Sequence, residues 1–233
     1  MLYVVGANSR LYRSMNLGCK AIEFTVRIEN VRQLPTFPEN AAIVIFSDPE
    51  DSTRTGAIFN SILSCVPYKS ACRIVFISSI SAQFYQSRHY PIEGAYARRK
   101  RTAEEILLSR TDLSVTIIRA GNIFSHGGWR EIQERSKFAI LPHGFNKTAT
   151  STPQEVADAI SEGLSHESGH RHLNIARGVE TSSIFRRVVF VSGLLSVYRM
   201  QWARQPLKVL ARVCRLMKIY LPSPDDINSF LVK

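Results

Sequence analysis

Short apolar runs that alternate with helix-forming stretches restrict the fold of this chain more than any other feature. Residues 2–5 (LYVV) run into Gly6, residues 22–26 (IEFTV) form the next run, and residues 41–46 (AAIVIF) are almost wholly apolar. A strand without polar alternation is buried on both faces, as in a parallel sheet covered by helices. Residues 73–78 (RIVFIS), 113–119 (LSVTIIR) and 172–176 (HLNIA) supply a fourth, fifth and sixth candidate strand. Helices are predicted at 53–65, at 94–110 (rich in Ala, Arg, Glu and Leu), and from Pro153 to about residue 164, with Thr152 placed as N-cap. This order predicts an α/β protein with a doubly wound parallel sheet. Residues 127–149 have weak periodicity and read as loops. From Ser182 onward the alternation stops, and the sequence reads as a helical, basic C-terminal segment.

The chain has 233 residues, 45% of them hydrophobic, which is enough to bury a sizeable core and excludes disorder as its main state. Cys19, Cys65, Cys72 and Cys214 show no CxxC pair and read as buried reduced thiols. No metal is expected from the six histidines. The chain opens on a strand and a glycine turn, without the pattern of a secretory leader. Its longest apolar run, 188–195, is far below the roughly 20 residues of a spanning helix. A cytoplasmic protein is expected.

The first strand ends in Val5-Gly6-Ala7-Asn8-Ser9-Arg10-Leu11-Tyr12. In an open parallel sheet, ligands bind beyond the carboxyl ends of the strands, and a tight turn into a helix N-terminus receives a pyrophosphate. Gly6 supplies the turn, and Ser9 is small enough for a close approach. Arg27 lies 21 residues after Gly6, near the position that reads the adenosine ribose. An arginine there leans toward NADP; Glu29 would serve NAD if the strand end shifts by two residues.

The fourth strand ends in the hydroxyls of Ser78, Ser79 and Ser81, and 17 residues after Ser79 comes Tyr96-Ala97-Arg98-Arg99-Lys100 on a helix. Tyr and Lys at i and i+4 share one face. A neighbouring ammonium favours the phenolate, so the tyrosine can exchange a proton with a hydroxyl or carbonyl while a nicotinamide exchanges hydride.

With these segments in register, the chain resembles the extended short-chain dehydrogenase/reductase superfamily, in its nucleotide-sugar epimerase/dehydratase-like branch. The segments are VVGANSRLY, VFISSIS, YARRKRTAEEILL and VTIIRAGNIF, followed by TPQEVADAISEGL and HLNIA. The resemblance implies a Rossmann-like fold over residues 1–178, with a substrate loop near 126–150 and a small C-terminal substrate lobe at 179–233. It implies Tyr96 as acid/base and Lys100 as its activator and nicotinamide-ribose ligand. Ser79 is the matching hydroxyl, with Ser81 as competitor. The cofactor would be NADP, with NAD as the alternative, and would meet Gly6, Asn8, Ser9, Arg10, Leu11, Arg27 and Ser47. Tyr96 and Lys100 would touch it too, and Ala120-Gly121-Asn122 would lie against the nicotinamide. The implied activity is reduction or epimerisation of a nucleotide-activated or lipid-linked sugar in polysaccharide biosynthesis. A homodimer through helices such as 94–110 is also among the implications. The chain departs from the family at Ser9 and Tyr12, where glycines are usual, and at Ser47-Asp48-Pro49. Those departures leave a non-catalytic NAD(P)-binding sensor or scaffold as the alternative.

The formal charge is +11, yet between Thr181 and Pro224 there are eight bases and no acid, so the rest carries 22 Lys and Arg against 19 Asp and Glu. The excess belongs to one segment, which argues against a general polyanion binder, and no recognition motif points to nucleic acid. Residues 207–221 read as an amphipathic helix. Lys208, Arg212, Arg215 and Lys218 lie on one face; Val209, Val213, Leu216, Met217 and Tyr220 lie on another. That helix would either pack on the substrate lobe with its bases in water or meet an anionic surface, at a sugar pyrophosphate or the inner face of a membrane.

Overall fold

The computed structural model describes residues 1–15, 17–18, 20–24, 34–46, 52–83, 94–123, 138–142, 145, 147–185, 187–192, 194–200 and 203–222. Its strands are β1 (Leu2–Val5), β2 (Ala21–Phe24), β3 (Ala42–Ile45), β4 (Arg73–Ser79), β5 (Ser114–Ala120), β6 (Phe138–Pro142), β7 (Lys147–Thr150), β8 (His170–Asn174), β9 (Arg177–Glu180), β10 (Val188–Val191) and β11 (Ile219–Tyr220). Its helices are α1 (Arg10–Ser14), α2 (Ser52–Ser64), α3 (Ile80–Gln83), α4 (Ala95–Leu108), α5 (Pro153–Ser165), α6 (Thr181–Ile184), α7 (Leu194–Arg199) and α8 (Arg204–Leu216).

Six strands form a parallel sheet in the order β2-β1-β3-β4-β5-β8. The chain leaves β1 for β2 on one side and returns to β3 on the other. The carboxyl end of β1 therefore lies at the switch point of a doubly wound, Rossmann-like sheet. Period-two alternation sorts the side chains. Tyr3, Val5, Ile74, Phe76, Val115 and Ile117 pack with Ile58, Phe59 and Ile62 of α2 and Ala103 and Leu107 of α4. Leu2, Val4, Val75, Ile77 and Ile118 pack on the other face with Val156, Ala159 and Ile160 of α5. Both faces are dry, which is why these strands read as continuous apolar runs.

Thr152 caps α5 as expected. Its Oγ1 accepts from the Glu155 N–H at 3.1 Å, and the Glu155 carboxylate accepts from the Thr152 N–H at 2.7 Å, closing a capping box. Cys72 and Cys214 are buried and Cys65 half-buried, all as free thiols; Cys19 lies outside the described residues.

Three expectations for the second half are corrected. Residues 127–149 are not all loop: β6 pairs in parallel with β10 and β11, and β7 pairs antiparallel with β9. The partners of β6 lie far along the chain, so nothing local announces it. The segment after Ser182 is not all helical, because β10 is VVFV, whose β-branched residues suit a strand. The helix expected over 207–221 stops at Leu216. Lys218 takes a left-handed φ of 62°, and Tyr220 is wholly buried in the lobe core with Leu141, Phe185 and Tyr198.

Beyond the end of α4, Arg110 closes α2. Its guanidinium donates to the carbonyls of Leu63 (3.3 Å), Val66 (3.4 Å) and Pro67 (3.1 Å), satisfying acceptors that a helix end leaves unpaired. Asp112 orients Arg110 through bonds of 2.7 and 2.8 Å and also accepts from the Lys69 N–H. Hydrogen bonds from Arg110 hold the Asp112 carboxyl well below the usual carboxylate range. Its contribution to stability is therefore full above about pH 4 and lost as pH falls below that. Asp112→Asn should lower the unfolding free energy at neutral pH, read from urea denaturation, by about 1–2 kcal/mol. The gap to wild type should narrow as unfolding is followed from pH 5 down to about pH 2.

Candidate active site

The end of β4 divides its hydroxyls between two environments. Ser78 continues the row of Ile74 and Phe76 and faces α4, where its Oγ donates to Glu104 Oε1 at 2.6 Å. Ser79 is registered beside Ala120 at the end of β5. Its Oγ lies 2.9 Å from Ser81 Oγ and accepts from the Ser81 N–H at 3.3 Å. The two candidate serines thus form one hydroxyl pair at the mouth of the sheet, both buried.

The helix α4 brings the expected pair to this end. Lys100 is only 6% exposed, and its Nζ donates to the Ile77 carbonyl at 3.1 Å, two residues before Ser79. The ammonium sits 5.1 Å from the centroid of the Phe76 ring and 5.8 Å from that of Tyr96. Tyr96 is half-buried, with the Arg99 guanidinium 5.7 Å from its ring centroid. A buried ammonium is costly unless paired. Here a strand carbonyl and two aromatic faces hold it one helical turn from Tyr96.

One turn further along α4 lies Glu104, which the sequence reading did not single out. Its carboxylate is fully buried and takes a bidentate pair of bonds from Arg119, at 3.0 and 2.6 Å, besides the bond from Ser78. Arg101 approaches the same carboxylate at 3.5 Å. Arg119 shares the face of Val115 and Ile117, so the pleat of β5 turns it toward α4. A signal was present: Tyr96, Lys100 and Glu104 are spaced by four on one helix, and Arg119 is the one charge in an apolar strand. The cluster fixes α4 against β4 and β5 directly beneath the candidate site. Removing one partner of such a pair leaves an uncompensated buried charge. Glu104→Ala should cost about 3–5 kcal/mol in chemical denaturation, whereas Glu105→Ala, whose partner is an exposed Arg101, should cost about 0–1 kcal/mol.

The glycine turn is formed. Gly6 has φ 91°, where a side chain would be strained. The N–H groups of Gly6 and Ala7 both donate to the Phe24 carbonyl, tying β1 to β2, and the Ser9 N–H donates to the Gly6 carbonyl. Arg10 and Leu11 open α1, where N–H groups have no helical acceptor. Tyr12 stands where a third glycine is usual. Its ring packs 5.4 Å from that of Phe46, and its hydroxyl donates to Glu23 at 2.5 Å. Beside the turn is a cleft of about 440 Å³ lined by Ala7, Asn8, Tyr12, Arg13, Met15 and Glu23. Arg27 and Ser47 lie outside the described residues.

After β5 the chain runs Ala120-Gly121-Asn122 against β7. A Cβ on Gly121 would lie 2.6 Å from the backbone of Ala149 and Thr150, so this glycine is demanded by packing. Its N–H donates to Ser151 Oγ, and that of Asn122 to the Ala149 carbonyl. Asn122 Nδ2 is a buried donor with no hydrogen-bond partner. Among the described residues, no group of His, Cys, Asp and Glu could hold a metal ion.

No family model matches the chain, and no curated protein matches it by sequence. Solved structures do match it in fold. The NADPH-dependent quinone oxidoreductase of Escherichia coli, complexed with NADPH, superposes with a TM-score of 0.61 at 13% identity, over 99% of this chain and 89% of that one. MoeE5, in complex with UDP-glucose and NAD, gives 0.57 at 14% identity over 97% and 86%. The UDP-N-acetylglucosamine 4-epimerase of Bacillus cereus gives 0.54 at 13% identity over 84% and 92%. The chain has their Rossmann-like fold.

The residues present fit a nicotinamide dinucleotide on two observations. The positive-φ turn at Gly6 leads into Ala7 and Asn8, which line the cleft beside α1 and β2, and the Asn122 amide is a buried donor without an acceptor on the loop after β5.

Proposed function

We propose that the protein is an NAD(P)-dependent oxidoreductase, a reductase or epimerase, acting on a nucleotide-activated or lipid-linked sugar. The observation that carries this reading is the meeting of α4 with the end of β4. Lys100 is anchored on the Ile77 carbonyl one turn from Tyr96, and the Ser79–Ser81 hydroxyl pair terminates the same strand. Gly6, Asn8, Ser9, Arg10 and Leu11 would hold the pyrophosphate side of the cofactor. Arg27 and Ser47 would meet the adenosine, with Arg27 favouring NADP. Ala120, Gly121 and Asn122 would border the nicotinamide. When bound, the cofactor supplies or accepts hydride at the sugar carbon.

The protein's own part is proton chemistry and orientation. The Lys100 ammonium favours the Tyr96 phenolate, so Tyr96 moves a proton to or from the reacting oxygen near neutral pH. The Ser79 hydroxyl donates a hydrogen bond to that oxygen, and its bond with Ser81 keeps it oriented. Reduction is preferred over epimerisation because of Arg27 and the small substrate lobe. Residues 126–150 and 179–233 would form the substrate lobe. The alternative, a non-catalytic NAD(P)-binding sensor or scaffold, draws on Tyr12, whose side chain bridges Phe46 and Glu23 where an unencumbered turn would carry glycine.

Fluorescence titration with NADPH and NADH, followed by turnover on nucleotide-linked keto-sugars, separates the readings. Tyr96→Phe should lower turnover by about 10²–10⁴-fold while leaving cofactor affinity nearly unchanged. Undiminished turnover in that variant rules out the mechanism. Tight cofactor binding without turnover in the wild type favours the sensor, and binding of neither cofactor removes both.

A further inference from the structure

Three stripes run along α8. Leu207, Ala211 and Cys214 are buried and pack into the lobe with Ile140, Leu194 and Ile219 among their neighbours. At about 100° per residue these three fall within an arc of roughly 60°. Lys208, Arg212 and Arg215 occupy the next arc. Val209, Leu210, Val213 and Leu216 cover much of the remainder, joined by Met217 just past the helix end. These five are 58%, 49%, 45%, 85% and 56% exposed. The helix is thus attached to its own lobe through one leucine and two small residues, while two valines, two leucines and Met217 face solvent. A basic face in water accounts for the lysine and arginines but not for this apolar stripe, which is the kind of surface that marks an interaction site.

Charge identifies the occupant. The apolar stripe adjoins a basic one in a segment, 181–224, that has eight bases and no acid. A second copy of the chain, docked symmetrically, would set those bases against themselves. A nucleic acid would lie along the basic stripe and leave the aliphatic one in water. Anionic lipid meets both, with headgroups beside Arg212 and its basic neighbours and acyl chains on Val209, Val213 and Leu216. No helix among the described residues is long and apolar enough to cross a membrane, so the helix would lie along its surface. We propose that α8 is an interfacial helix that seats the protein on an anionic lipid surface through this paired stripe.

The test uses the full chain and sedimentation with lipid vesicles. Wild type should pellet with phosphatidylcholine vesicles containing phosphatidylglycerol, not with phosphatidylcholine alone, and added salt should weaken binding. Arg212→Gln should lower vesicle affinity about five-fold. Val209→Asp with Leu216→Asp should lower it at least ten-fold, by losing the apolar contact. Both positions are solvent-exposed, so that variant should keep the wild-type thermal midpoint and cofactor affinity. The proposal is overturned if wild type fails to pellet, if it pellets equally with both lipids, or if the double Asp variant binds normally. Sedimentation velocity supplies the rival outcome: a wild-type dimer dissolved by Leu216→Asp, without vesicle binding, would assign the stripe to contact between copies.

Discussion

The fully buried carboxylate of Glu104, shared by Arg119 and Ser78, is the interaction on which the site end of this fold depends. It joins the helix carrying Tyr96 and Lys100 to the two strands whose ends carry Ser79 and Ala120. Burying this pair is worthwhile only because both carboxylate oxygens accept charge-assisted hydrogen bonds from the Arg119 fork. Lys100 depends on the same junction. Its ammonium can remain buried only while α4 lies close enough for it to reach the Ile77 carbonyl. A small rotation of α4 would at once leave Glu104, Arg119 and Lys100 short of partners, so the junction favours one arrangement over its neighbours.

The glycine turn and the loop after β5 show how one residue type answers different demands. Gly6 is required by its own backbone conformation. Gly121 is required by β7, whose backbone comes within 2.6 Å of where a side chain would begin. The latter role is structural whether or not a cofactor lies beside it, and it couples the site loop to the strand pair β7–β9. Tyr12 represents a third solution. A large side chain is accommodated where a small residue is usual because its ring has Phe46 to pack on and its hydroxyl has Glu23. Fold alone assigns no activity, since one Rossmann-like sheet serves many chemistries. The functional proposal therefore rests on the placement of Tyr96, Lys100 and Ser79.

Half of the eight bases of segment 181–224 and the exposed aliphatic stripe meet on a single helix of the lobe. A surface helix of this kind would hold the lobe against a membrane without crossing it. That arrangement would suit a substrate whose sugar is soluble and whose anchor is lipid, and it would bring the site to the substrate instead of requiring the substrate to leave the bilayer.

The sequence by itself determined the sheet and its main helices, and it pointed to the residues of the candidate site. Continuous apolar runs mean strands buried on both faces, Thr152-Pro153 spells a capped helix start, and the four-residue step from Tyr96 to Lys100 sets two side chains on one face. Each of these is a local rule that acts within a few residues. Tertiary structure alone decided the rest. It paired β6 with strands some 50 and 80 residues away, turned Glu104 onto Arg119, and buried Tyr220 while leaving Leu216 in solvent. Those outcomes depend on which surfaces meet, and the periodicity of a segment says that it has an apolar face without saying what will cover it.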